Sequence, residues 1–270
     1  MIDLEFVICT NGKKIKDLYR LVKSIQNSTD NKFNIHVGGV VDNFKDFETQ
    51  NNIFLHNFSD AAKNGYVGRL RNQLIEKTQS NIVVCCDDDM LIPEDWFKKF
   101  IDYNEKNKDW NFLTNKIYIP NGGRYWDRAI IDDNIHTMVD YNHNKKDNRL
   151  TFCGTFFIIK KSCFLKNKFN PNLKIYGGNL DKNNSSKTWM LAEEPELSKR
   201  LYENGFVIDF DENNYVFHIS NDFTQVVRSS NNSYNVVVKN DLLKWEQDTT
   251  IKIKNKDIIL LLRDEIKKLI

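Results

Sequence analysis

Ile82-Val83-Val84-Cys85-Cys86-Asp87-Asp88-Asp89-Met90 is the stretch on which the reading of this chain turns. Five apolar residues run straight into three consecutive carboxylates. An apolar run of this length, bounded by polar residues, predicts a strand buried on both faces. The three aspartates then sit at its carboxyl end, where ligands bind in open α/β sheets. Packing three like charges together is costly unless a cation or hydrogen-bond donors compensate. A divalent ion with oxygen ligands, Mg²⁺ or Mn²⁺, that also holds a phosphate accounts for the cluster. The competing reading is a solvated acidic turn ahead of a helix starting near Pro93. The position directly behind a buried strand favours the ligand.

Upstream, Leu4 to Cys9 reads as a strand ending at Thr10-Asn11-Gly12. Ile15, Leu18, Leu21, Val22 and Ile25 then recur at helical spacing. Phe33 to Val41 is a second strand ending at Asp42, Asn52 to His56 a third, and Gly65 to Thr78 a second helix. This β-α-β-β-α-β alternation predicts a mixed, mostly parallel sheet with helices on both faces. Thr10, Asn11, Asp42 and Asp87 follow strand ends, and Arg71 lies on the helix before the acidic strand, free to pair with phosphate or with a carboxylate. No GxGxxG or GxxxxGK[ST] is present, so a dinucleotide fold and a P-loop are not supported.

Downstream, Pro93 to Lys106 predicts a helix with proline in its first turn, and Trp110 to Ile119 a strand. Residues 127–148 carry no clear period. Thr151 to Lys160 predicts one continuous strand, with Gly154 marking a close approach to the backbone. Asn170 to Lys187 reads as a long loop. It leads to Glu193-Glu194-Pro195-Glu196-Leu197, where Pro195 fits only a first helical turn. Carboxylates at a helix start are favoured as anions, which suits a proton acceptor. Glu193 and Glu194 are both candidates. Phe206 to Phe210 and Tyr215 to Ile219 read as strands, the second carrying His218, a candidate additional metal ligand. Trp126, Tyr176 and Trp189 are candidates to stack on a sugar ring. Asp241 to Trp245 predicts a short helix, and Ile258 to Ile270 an amphipathic one that packs on the domain or on a second subunit, giving a homodimer.

Net charge is +2, from 39 basic and 37 acidic side chains, which gives no general drive toward nucleic acid or anionic membrane. The five cysteines have no metal-ligand spacing and lie mostly in apolar strands, pointing to a reducing, cytoplasmic compartment. No leader-like start or membrane-length apolar run is expected.

In their order and spacing over residues 4–219, four segments resemble the GT-A-fold glycosyltransferases, specifically the inverting family 2 group. They are Phe6 to Asn11 with its following helix; Gly68-Arg69-Leu70-Arg71-Asn72 ahead of Ile82 to Asp89; Gly154 to Lys161; and Glu193 to Leu197 with Arg200, Leu201 and Gly205, followed by His218. The resemblance implies that Asp42 and Asp87 hold the base and ribose of a nucleotide sugar, UDP-linked by expectation, with Thr10 and Asn11 beside them. It implies that Asp89, assisted by Asp88 and His218, binds Mn²⁺ or Mg²⁺ at the diphosphate, and that the Glu194 position is the general base. Trp126, Gly154 and Trp189 would face the acceptor. That acceptor is a hydroxyl of a glycan, a lipid-linked sugar, a protein or a modified DNA base. Glutamate stands where the family usually has an aspartate base, proline follows it, and the usual Gln/Arg-x-x-Arg-Trp acceptor motif is absent. A catalytic domain is expected over 1–220, with a nucleotide half (1–90) and an acceptor half (91–220), and an extension over 221–270. The alternatives are a nucleotidyltransferase on a similar sheet, for which Thr10-Asn11-Gly12-Lys13-Lys14 is a faint phosphate loop, and a non-catalytic nucleotide- or glycan-binding module.

Overall fold

The computed structural model describes residues 3–29, 33–132, 135–174, 193–219, 225–228, 234–237 and 255–269. In chain order the elements are β1 (Leu4–Thr10), α1 (Ile15–Asn27), β2 (Asn34–Gly39), a 3-10 helix (Asp42–Thr49), β3 (Ile53–Asn57), α2 (Ser59–Lys63), α3 (Val67–Lys77), β4 (Ile82–Asp87), β5 (Met90–Leu91) and α4 (Trp96–Lys106). There follow β6 (Phe112–Tyr118), β7 (Ala129–Asp132), β8 (Ile135–Met138), β9 (Leu150–Thr151), β10 (Phe156–Lys160), α5 (Lys161–Lys166), α6 (Glu193–Glu203), β11 (Ile208–His218), β12 (Gln225–Arg228), β13 (Tyr234–Val237) and α7 (Lys256–Lys267).

Eight strands form one sheet in the order β3-β2-β1-β4-β10-β6-β11-β5. β1, β2, β3 and β4 run parallel, as do β6 and β11, while β10 and β5 are antiparallel to their neighbours. β4 is buried on both faces, as its apolar run predicts. Val84 and Cys86 join Phe6, Leu18, Trp96, Phe100 and Phe156 on one side. Val83 and Cys85 join Leu70, Leu74, Phe157, Phe164 and Leu197 on the other. All five cysteines are free thiols.

The structure departs from the sequence reading in four places. The stretch Thr151 to Lys160 is two strands, β9 and β10, broken around Gly154, because β9 pairs with β7 in a separate three-stranded sheet. The segment without a period contains the β7–β8 hairpin, whose short strands alternate too briefly to read. The two strands expected over 206–219 are one, β11, with its register shifted between Asp211 and Tyr215. Pro93 lies outside α4, its carbonyl accepting from the Trp96 N–H (3.0 Å).

α7 lies on its own domain. Leu262 and Ile266 bury against Leu91, Phe217 and Ile219, Ile259 is buried as well, and Lys268 pairs with Glu94 (2.7 Å). Asn255 caps the helix through the Asp257 and Ile258 N–H groups. The segment expected as a helix at Asp241 to Trp245 lies outside the described residues. Among the described residues, no helix is long and apolar enough to cross a membrane.

Candidate active site

Strand order brings the acidic segments together. β4 sits between β1 and β10, so Asp87 leaves the sheet beside Thr10, while Met90 restarts at the far edge against His218. Asp88 and Asp89 form the turn spanning those two positions. The Ile219 N–H donates to the Asp89 carbonyl (2.7 Å), tying that turn to the end of β11.

The turn's carboxylates have different partners. Thr10 Oγ1 donates to Asp88 Oδ2 at 2.6 Å. Burial raises the Asp88 carboxyl to about 7; the Thr10 hydrogen bond opposes this, and the charge on Asp89 adds to it. Asp89, only 1% exposed, meets His218 Nε2 at 3.0 Å through Oδ2, and the same oxygen takes the Lys14 ammonium. Burial pushes the Asp89 carboxyl up, but His218 and Lys14 outweigh it and hold it at about 2. Its other oxygen, Oδ1, is buried with no hydrogen-bond partner.

A second group of carboxylates surrounds Arg71, which is 2% exposed. Its Nη2 donates to the Gly154 carbonyl (2.8 Å) and lies 3.6 Å from Asp87 Oδ1. Its Nη1 lies 3.3 Å from Glu193 Oε1 and 3.6 Å from Glu194 Oε1. Burial works against the guanidinium's charge, but Glu194, Asp87 and Glu193 outweigh it and keep it ionised well beyond the usual range. Glu193 is buried and its Oε2 has no partner, whereas the Glu194 side chain is 24% exposed. Burial, then the charge of Glu193, raise the Glu194 carboxyl to about 8 against the pull of Arg71. Asp87 is raised by burial, again with Arg71 opposing.

The close approach expected at Gly154 is made by side chains. A Cβ there would lie 2.1 Å from Glu194 Oε1 and 2.6 Å from Arg71 Nη2. Thr10 is buried; Asn11 and Asp42 are exposed at the carboxyl ends of β1 and β2. Tyr125 packs its ring 4.2 Å from that of His218. Trp126, half-buried in a left-handed backbone conformation (φ 48°), stacks on His136 at 4.6 Å. Tyr176 and Trp189 lie outside the described residues. The sequence offered Lys14 only as part of a faint phosphate loop and gave Tyr125 no role in this site. The signal for Lys14 was a lysine directly behind the turn that ends β1, one strand away from the aspartates.

Among the described residues, no three His, Cys, Asp or Glu side chains form a ready metal cage. Mg²⁺-type ions seldom use one, taking one or two carboxylates and completing their shell with phosphate and water. The buried, unpartnered Asp89 Oδ1 and the adjacent His218 imidazole fit such an ion.

The family model for glycosyl transferase family 2 matches residues 6–166, which hold β1, α3, the aspartate triplet and Gly154. The chain belongs to glycosyl transferase family 2. Among solved structures, this family 2 chain is similar in fold to GalNAc-T7 with UDP, GalNAc and Mn²⁺ (TM-score 0.61, 15% identity, 81% of this chain and 43% of that one). It is also similar to S. aureus TarS 1–349 in complex with UDP-GlcNAc (TM-score 0.56, 15% identity, 80% and 58%) and with UDP (TM-score 0.53, 14% identity, 80% and 60%). The chain therefore spans less than two thirds of the length of these neighbours, which establish a GT-A fold. No curated protein matches the sequence.

Proposed function

We propose that this family 2 chain transfers a sugar from a nucleotide sugar, UDP-linked, to an acceptor hydroxyl with inversion at the anomeric carbon. One observation carries the proposal: Asp87 at the end of β4 and the glutamates opening α6, about a hundred residues apart in sequence, converge on the buried guanidinium of Arg71. UDP and UDP-GlcNAc in the TarS structures, and UDP with Mn²⁺ in GalNAc-T7, support the choice of donor and ion.

In this mechanism Asp42 and Asp87 hold the base and ribose, with Thr10 and Asn11 alongside. Asp89 and His218 would hold Mn²⁺ or Mg²⁺, with Asp88 behind them on Thr10. When bound, such an ion neutralises the charge that develops on a departing nucleoside diphosphate. Arg71 keeps Asp87 and the glutamates in fixed relation, so the donor and the base are positioned by one group. Glu194, the more exposed of the two glutamates, accepts the proton from the acceptor hydroxyl as its oxygen attacks. A positioned base of this kind typically contributes roughly 10²–10⁴-fold. Glu193 stays buried against Arg71. Attack opposite the leaving group inverts the centre, by the stereochemical logic of inverting glycosidases.

The test is a thermal-shift panel of UDP-, GDP-, CDP- and TDP-sugars, each with and without Mn²⁺, on the wild type and Asp89→Asn. A ligand that binds the native state raises the unfolding midpoint by mass action. A Mn²⁺-dependent shift with a UDP-sugar in the wild type only is expected. No shift with any donor would overturn the proposal in favour of a module without donor chemistry. Product anomeric configuration, read by proton NMR, tests inversion.

A further inference from the structure

Asp89 Oδ2 is already held by a cation. Lys14, at the start of α1, brings its ammonium onto the same oxygen that meets His218, and its charge also bears on Asp88 and Asp87. An ammonium has three donors and no acceptor, so it takes carboxylate lone pairs that a divalent ion would need. Two like charges at one oxygen repel strongly in a buried setting. The carboxylate is nevertheless not saturated, since Oδ1 remains without a partner. Lys14 is also able to leave. Its side chain is 34% exposed, it carries a compact charge on a flexible stem, and it follows the glycine turn at Gly12 (φ 77°).

We propose that Lys14 is a resident counter-cation that occupies the Asp89 seat until a nucleoside diphosphate arrives, so that the divalent ion binds weakly alone and cooperatively with the nucleotide. The proposal rests on the donor and metal reading above. Without a diphosphate, moving Lys14 off Asp89 breaks that ion pair with no phosphate to replace it. With the diphosphate present, the ammonium transfers to phosphate oxygens, and Asp89 is released to the ion. Nucleotide and ion then each raise the other's affinity, as linkage requires.

Mn²⁺ affinity, read from the free-ion electron paramagnetic resonance signal, tests this without any turnover. Wild type, Lys14→Met, Lys14→Arg and Asp89→Asn are each titrated with Mn²⁺, in the absence and the presence of UDP. Expected is a gain of about tenfold or more in the UDP-free affinity of Lys14→Met over wild type, within the range usual for coupled sites. UDP should then tighten Mn²⁺ binding strongly in wild type and much less in Lys14→Met, while Lys14→Arg, which keeps the charge, behaves as wild type. Thermal unfolding confirms that the variants are folded, and Lys14→Gln replaces Lys14→Met if the latter is not. If Lys14→Met binds Mn²⁺ no tighter than wild type while UDP still tightens both, Lys14 is no competitor and the proposal falls, the donor reading standing. If no protein binds Mn²⁺ even with UDP, or Asp89→Asn binds it as wild type does, the metal reading itself falls and takes this proposal with it.

Discussion

Gly154→Ala crowds the proposed base. The added methyl would lie 2.1 Å from Glu194 Oε1, 2.6 Å from Arg71 Nη2 and 2.8 Å from Nη1, where ordinary contact begins at 3.4 Å. The glutamate side must give by about 1.3 Å and the arginine side by about 0.8 Å, the differences between those distances. Arg71 yields only its smaller share: it is 2% exposed, donates to the Gly154 carbonyl and answers three carboxylates. Glu194 is the end of a flexible side chain, 24% exposed, so it retreats. A displacement of roughly 1 Å at a reacting group costs on the order of 10²-fold in rate. That is about 2.7 kcal/mol of barrier. Gly154 is not among the glycines with a left-handed backbone, so alanine imposes no such strain and loses chain entropy of about 0.4–1 kcal/mol in the unfolded state. The expected result is therefore a roughly hundredfold lower kcat with a UDP-sugar thermal shift close to wild type, the displaced arginine lowering the unfolding midpoint without unfolding the protein. The assay is release of the nucleoside diphosphate from the donor identified in the thermal-shift panel. The double variant Gly154→Ala/Glu194→Gln should be no slower than Glu194→Gln alone, because both act on one group. A Gly154→Ala kcat within threefold of wild type, or losses that multiply in the double variant, would refute the placement of the base.

Two further outcomes follow from the same geometry. In the proposed mechanism Glu194 must be ionised to accept a proton, and with its carboxyl raised to about 8, kcat/KM should rise with pH up to about that value; Glu193→Gln, by removing the neighbouring negative charge, should move the rise to lower pH, while Glu194→Gln should lose about 10²–10⁴-fold and the pH dependence with it. Leu262→Ala, at a 3% exposed position where α7 meets Leu91 and Phe217, should lower stability by about 2–5 kcal/mol in a denaturant titration. It should also weaken Mn²⁺ binding in the presence of UDP, since Leu91 and Phe217 flank the strand ends that carry Asp89 and His218.

What could be read from the residues, and what could not, follows from the range of the interactions. The aspartate triplet was legible because burial of β4 on both faces writes itself as a local apolar run ending in charge. The glutamate pair was legible because Pro195 restricts where a helix can begin. Both signals are short-range. The 3.3 and 3.6 Å contacts between Arg71 and carboxylates from two distant segments are set by β10 lying next to β4 in the sheet, and no local pattern encodes that order. Arg71 accordingly stood as open to phosphate or carboxylate, and only the fold shows it sealed among carboxylates. The same holds for Gly154, where the sequence marks a close approach but the approaching atoms belong to residues some eighty positions upstream and forty downstream. The helix at the chain's end shows the converse limit. Its amphipathic period is plain, but a period says only that one face will be covered; Leu91, Phe217 and Ile219 cover it here because β5 and β11 form the sheet edge beneath it. Lys14 is the sharpest case. In the sequence it is one basic residue among 39, placed with Lys13 in a faint phosphate loop, and its carboxylate partner emerges only when β1 and β4 are adjacent and its ammonium reaches a residue seventy-five positions away.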